Sequence, residues 1–343
     1  MKLSVLDHSI VASDSQTRAA FQNTVELARA AEQLGYHRFW LAEHHGSGHF
    51  AGVAPEILVA HVAAATSRIR VGTGGVLLSN YSPFKVAEVF RLLETLHPNR
   101  IDLGIGRTSG STDLVARALA YGPPMNNENF PTKLEDLVAF LSGTTPATPE
   151  FEKLSLKTMA PGMPQVWALG SGEQSAALAA RLGLSFCFAH FFNPIHGGPV
   201  TRGYRERFQP SHVQAAPNSA VSVYVICAPT EQEARRIARS SDLLTINTRR
   251  GRPEAPIPSI EEAEAYAYTP EDLATLEFDR KRVVCGSPDQ VKEQLLRMAA
   301  EFQADELLVT TIVHDHRARM RSYELLADAF SLSSTPPAAQ AAS

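Results

Sequence analysis

The chain has 343 residues, 44% of them apolar and 20% charged, and a formal charge of −4 from 32 Lys and Arg against 36 Asp and Glu. That length and apolar share are enough to bury one large core or two ordinary ones, and they exclude a disordered chain. The near balance of charge, with no long run of either sign, excludes the footprint of a nucleic-acid or anionic-membrane binder and points to a neutral or weakly charged small molecule.

The first residues, "MKLSVLDHSI", lack a signal peptide's apolar core and cleavage site, and no apolar run approaches the roughly eighteen residues of a membrane helix. Cys187, Cys227 and Cys285 lie far apart in apolar stretches, as buried reduced thiols do, so a cytoplasmic location is expected. Residues 3–7, "LSVLD", read as a strand. Residues 16–34 follow with Phe21, Val25, Leu27, Ala28, Ala31 and Leu34 spaced for one helical face and Gly35 as a stop. The same pair recurs as "RFWLA" with 55–66, "RIRVGTGGVLL" with 84–96, "RIDLGIG" with 112–120 and "QVWALG" with 173–182. It continues as "LSFCFA" with about 194–208, "AVSVYVIC" with 230–241 and "ELLVTTI" with 317–330. Eight near-continuous apolar strands, each followed by a helix, predict an α/β fold closed as a (β/α)8 TIM barrel. Two stretches break the rhythm: 121–164, with a helix near 131–142, and 242–285. The second is long, Pro-rich and polar, reads as an insertion between the seventh and eighth strands, and is a candidate lid. One domain over 1–330 and a disordered tail over 331–343 complete the expected organisation.

In such a barrel the loops after the strands' C-terminal ends form the active face. There the second unit delivers Glu43, His44 and His45, an acid beside two imidazoles able to donate or accept a proton near neutral pH; a hydrogen-bonded structural histidine is the plain alternative. With no HxH on a strand and no HExxH on a helix, no metal site is expected. Gly72, Gly74 and Gly75 in the third unit suit a bulge or a tight bend, and would also let a flat ring lie against the backbone. "LGIGRTSGS" misses the GxGxxG register, because Ser109 stands in the third glycine's place, so a dinucleotide fold is discounted. Arg107 is then a cation at the barrel mouth or the partner of a local carboxylate such as Asp113. In the fifth unit Ser171 and Gln174 have capping-box spacing, while Gly170 and Gly172 leave backbone N–H groups open at the positive end of a helix, where a phosphate binds.

Taken together, "FWLAEHH", "RIRVGTGGVLL", "NRIDLGIGR", "LGSGEQSAALAARLGL" and "VVCGSPDQVKEQL" resemble the bacterial luciferase-like flavin-dependent monooxygenases, in their single-chain, group 1 branch, over about residues 3–330. The resemblance implies a barrel that takes FMN in its reduced form as cosubstrate with O2, oxidising an apolar or aromatic small molecule through a C4a-peroxyflavin. It implies His44 as the catalytic imidazole with Glu43 and His45 beside it, and Gly74 and Gly75 as the region of a cis peptide under the ring. Arg107 falls near the reduced ring and phosphate, while Leu169, Gly170, Ser171, Gly172 and Ser175 match the segment that wraps the phosphate. Where luciferases carry a phosphate-binding arginine, "MNNENF" places Asn129, so reduced flavin is expected to arrive from a separate NAD(P)H:flavin reductase. The family also pairs subunits through the second and third helices, here "PEILVAHVAAATS" and "FKVAEVFRLLETL", which predicts a homodimer. A relative using F420 for hydride transfer and a non-catalytic flavin-binding protein are the alternatives.

Overall fold

The computed structural model describes residues 1–107, 113–121, 127–156 and 162–333. In it the apolar runs form parallel strands β1 (Lys2–Asp7), β2 (Arg38–Leu41), β3 (Arg70–Leu77), β4 (Ile101–Gly106), β5 (Gln165–Gly170), β6 (Ser185–Ala189), β7 (Ser219–Cys227), β8 (Val283–Gly286) and β9 (Glu306–Thr310). β1 to β7 pair in succession, β7 pairs with β9 and β9 with β1, so eight strands close a ring with helices around it: a TIM barrel. Among the described residues no helix is long and apolar enough to cross a membrane.

Each strand is covered on both faces, which is why its sequence is apolar throughout rather than alternating. The outward residues pack under helices such as Thr17–Leu34, Pro83–Leu96 and His316–Phe330. Inside the barrel, Leu6, Trp40, Trp167, Cys187 and Leu308 form a second cluster, with the two indoles edge to face at 5.3 Å. Toward the strand N-termini the interior turns ionic. Buried Arg38 donates to Asp102 at 2.8 Å and to Glu306 at 2.8 Å, and Trp40 Nε1 donates to the same Asp102 at 2.9 Å. Such charges are tolerable only because every one is partnered.

The stretch 242–285 differs from the expected polar loop. The helix Glu231–Arg249 runs well past residue 241, and helices Ile260–Ala265 and Pro270–Asp279 follow, each opened by a capping box: Ser259 with Glu262, and Thr269 with Asp272. Ion pairs Arg280–Asp242 and Arg250–Asp272 tie these helices together. Polar, Pro-rich composition made the segment look like loop, but here its charged side chains also join helix to helix. β8, four residues long, also escaped notice; it extends along β7 (Tyr224–Cys227) beyond the stretch that β6 occupies (Ser219–Ser222). The unforeseen helix Pro288–Phe302, capped by Ser287 and Gln290, then leads to β9. The tail beyond residue 333 lies outside the described residues.

β3 and β4 approach so closely that side chains are excluded between them. A Cβ on Gly104 would stand 2.1 Å from the Thr73 carbonyl oxygen, and the register slips between Thr73 and Val76, the bulge that the glycines suggested. Gly104→Ala is therefore expected to cost about 1–3 kcal/mol through overpacking, read as a lower urea or thermal midpoint. Gly172→Ala, whose added Cβ meets nothing within 4 Å, should leave the midpoint unchanged.

Candidate active site

The C-terminal ends of the strands open into a cavity of about 1060 Å³. A second groove, of about 810 Å³, lies on the outer face of the helix Thr17–Leu34, away from the strand ends. Ala42, at the end of β2, is followed by Glu43, whose buried carboxylate accepts hydrogen bonds from the Leu77 N–H at 2.9 Å, the Tyr81 hydroxyl at 2.8 Å and His45 Nε2 at 2.7 Å. Glu43 thus anchors the end of β2 to the end of β3. His45 is turned onto it and does not line the cavity, whereas His44 does.

His44 Nε2 lies 2.9 Å from His8 Nδ1, and both rings pack on Phe50 at 4.7 Å. Burial pushes His44 from the usual 6.5 down to about 4; burial, then the neighbouring His44, drives His8 well below its ordinary value. Both imidazoles are neutral near pH 7, so one donates its N–H and the other accepts. His8 Nε2 is buried without a partner among the described residues, although the ring lines the cavity. Sequence reasoning missed His8. It directly follows β1 at the rim, the same cue that singled out His44.

The loop after His44 folds beneath the segment around residue 255. Gly48 N–H donates to the Pro253 carbonyl at 2.9 Å, His49 Nδ1 bonds the Ala255 carbonyl at 3.2 Å, and a Cβ on Gly48 would come 1.7 Å from Glu254 O. Gly74 and Gly75 line the cavity and share a cis peptide bond. Packing also excludes side chains there: a Cβ on Gly74 would strike the Leu6 side chain at 2.6 Å, and one on Gly75 the Gly104 carbonyl oxygen at 2.7 Å. What they turn to the cavity is flat backbone.

β5 ends at Gly170, and the helix Glu173–Arg181 begins with Gly172 as its N-cap and no side-chain cap. The expected Ser171–Gln174 capping box does not form, because the helix starts one residue too late for it. Gln174 Oε1 instead accepts from Arg107 Nη1 at 3.2 Å, which brings a cation from the end of β4 to the helix's positive end. The side chain of Asp113, the alternative partner of Arg107, lies outside the described residues. Leu169, Gly170, Ser171, Gly172 and Ser175 all line the cavity here. Open N–H groups, a guanidinium and the empty space where a Gly172 Cβ would stand fit the phosphate of a planar, phosphate-tailed cofactor. Phe191 and Phe192 line the far wall, whereas Trp40 is sealed inside the barrel against Trp167 and the Tyr81 hydroxyl is hydrogen-bonded to Glu43.

The family model for luciferase-like monooxygenases matches residues 1–306. The chain belongs to that family. Among solved structures, apo-MsnO8 is 42% identical, covers 98% of this chain and 99% of its own, and superposes with a TM-score of 0.90. Protein YceB of Bacillus subtilis (strain 168) is 43% identical over 96% of this chain and 99% of its own. The N-acetyl-S-alkylcysteine monooxygenase of the same organism is 35% identical over 96% and 98%. Two more distant structures share the fold alone. The oxygenating constituent of 3,6-diketocamphane monooxygenase from Pseudomonas putida, in complex with FMN, is 19% identical over 98% of this chain and 100% of its own, with a TM-score of 0.69. An F420-dependent secondary alcohol dehydrogenase is 14% identical over 96% and 98%, with a TM-score of 0.63. The chain is an oxidoreductase of that family.

The histidines also set the response to acid. His44 and His190 are both held near 4 by burial, Arg282 adding to the effect at His190, so from about pH 6.5 down to 4 the unfolded chain binds protons that the folded chain refuses. Their stabilising contribution is complete above pH 6.5 and is lost as the pH falls. Urea midpoints measured at pH 7 and pH 5 should show a drop, and His190→Asn should make it smaller.

Proposed function

We propose that this chain is an FMN-dependent monooxygenase of the two-component kind, oxidising an apolar or aromatic small molecule. The observation that carries the reading is the meeting, in one cavity, of a flat glycine backbone, a helix N-terminus with Arg107 beside it, and a buried neutral histidine. When bound, reduced FMN supplies the electrons that let O2 place an oxygen atom on a substrate. The protein's part is to hold the phosphate at Gly170–Ser175 and Arg107, and to keep the ring against Gly74 and Gly75. The loop 44–52, roofed by 253–257, excludes water. His44 can take up or return a proton at a ring nitrogen, while its bond to His8 orients the imidazole. Glu43 is an anchor, and His45 serves that anchor rather than the reacting atoms.

A separate NAD(P)H:flavin reductase is the proposed source of reduced FMN, since the described residues form one barrel with no second nucleotide-binding fold. The named activity of the Bacillus relative, oxygenation of a small thioether, supports a monooxygenase over the F420 alternative. With chemically reduced FMN, the purified protein should consume O2 in a substrate-dependent way, and His44→Ala should lower the rate by about 10²–10⁴-fold, the usual contribution of a positioned acid–base group. Tight binding of reduced F420 with no oxygen uptake would establish the alternative instead, binding of FMN without turnover would leave a non-catalytic flavin-binding protein, and full activity in His44→Ala would remove this histidine from the chemistry.

A homodimer through the helices Pro55–Ala65 and Pro83–Leu96 is part of the same proposal. It is supported by Ile57, Leu92 and Leu96, which are 66%, 48% and 60% exposed on this face. In sedimentation velocity the wild type should run as a dimer and an Ile57→Glu, Leu96→Glu double variant as a monomer.

A further inference from the structure

The half of the cavity facing away from Gly74 and Gly75 is built by β6, β7, the helix Glu231–Arg249 and the residues leading into β8. Its wall is apolar: Phe191 and Tyr224 stack at 5.0 Å with their planes 16° apart, and Ile226, Leu244 and Ile312 continue it. Into that wall the insertion sets Arg249 and Arg282, with Asp279 as the carboxylate between them. Asp279 is engaged by Arg249, whose Nη2 donates to both of its oxygens at 3.1 and 3.3 Å. Arg282 Nε stands 3.2 Å from Asp279 Oδ1 without hydrogen-bond alignment, and is buried and unbonded among the described residues. Elsewhere in the insertion, Arg250 and Arg280 each have a carboxylate to themselves. Two guanidiniums sharing one carboxylate leave a surplus positive charge at the cavity. His190 and Tyr224 lie within the field of Arg282, and His190, held near 4 by burial and then by Arg282, adds no charge of its own near pH 7.

We propose that this half of the cavity takes a substrate with an apolar body and a carboxylate, the anion held by Arg282 with Arg249 and the body against Phe191 and Tyr224. Assigning this half to the substrate rests on the monooxygenase reading above; the preference for an anion is a property of the wall itself. A guanidinium with a spare donor gains more from a carboxylate than from any neutral group, and the Arg282 side chain, 24% exposed, meets less competing water than a surface arginine does. Asp279 then acts as the brake on that attraction.

The test is calorimetric titration of the FMN-saturated protein with 4-phenylbutyrate and with its isosteric amide. Wild type should prefer the carboxylate, and the preference should shrink in high salt. Arg282→Gln should weaken carboxylate binding by about tenfold, the loss expected of one charge-assisted contact, while the amide changes less than twofold. Asp279→Asn should strengthen carboxylate binding; if Arg282 and Asp279 merely pin the insertion in place, Asp279→Asn will instead weaken both ligands alike. No preference in wild type, or equal losses for both ligands in Arg282→Gln, overturns the inference. If FMN itself fails to bind but the protein without it still discriminates between the ligands, the flavin reading falls while this one stands. If FMN binds and discrimination is absent, the reverse holds.

Discussion

The buried carboxylate of Glu43 is the joint on which the site depends. A charge taken out of water must be fully satisfied, and Glu43 meets that demand with donors from three places: a backbone N–H at the end of β3, the Tyr81 hydroxyl and His45. The result is geometric as much as energetic. The ends of β2 and β3 are locked side by side, so the residue after Glu43, His44, faces the cavity that Gly74 and Gly75 line. His45, next in the chain, is committed to the joint.

That joint sits on a scaffold whose spacing is set by absent side chains. β3 and β4 touch at Gly72 and Gly104, where a Cβ would meet neighbouring backbone or Asp102 at 2.5 Å or less. The tight pairing draws the end of β4, and with it Arg107, toward the helix that begins at Glu173. At the other end of the barrel, Arg38, Asp102 and Glu306 close the interior with paired charges, so the apolar middle is sealed and the cavity opens at one rim only.

The insertion does more than cover the opening. Its backbone is stitched to the histidine loop through Gly48 and His49, and to the loop after β1 through Ser13 and Ile257. Its arginines give the far wall a charge that the barrel strands do not supply. One half of the cavity is thus polar and backbone-lined, while the other is apolar with a cationic corner.

Much of this was legible in the residues alone. Runs such as "SFCFA" and "QVWALG" can only be strands covered on both faces, and their alternation with helices specifies a closed barrel, because periodicity is a local property of the chain. The rim rule then pointed to His44, Arg107 and the Gly170–Ser175 turn. What the residues could not disclose depends on distant partners. The charged insertion folds as helices because Asp242 and Asp272 find arginines far along the chain. Gln174 meets Arg107, 67 positions away, instead of capping its own helix. His8 becomes part of the site only when β1 closes against β2. Sequence by itself determined the elements and the rim that carries the chemistry; tertiary structure alone decided which side chains meet there, since a hydrogen bond or an ion pair forms at about 3 Å in space, whatever the separation along the chain.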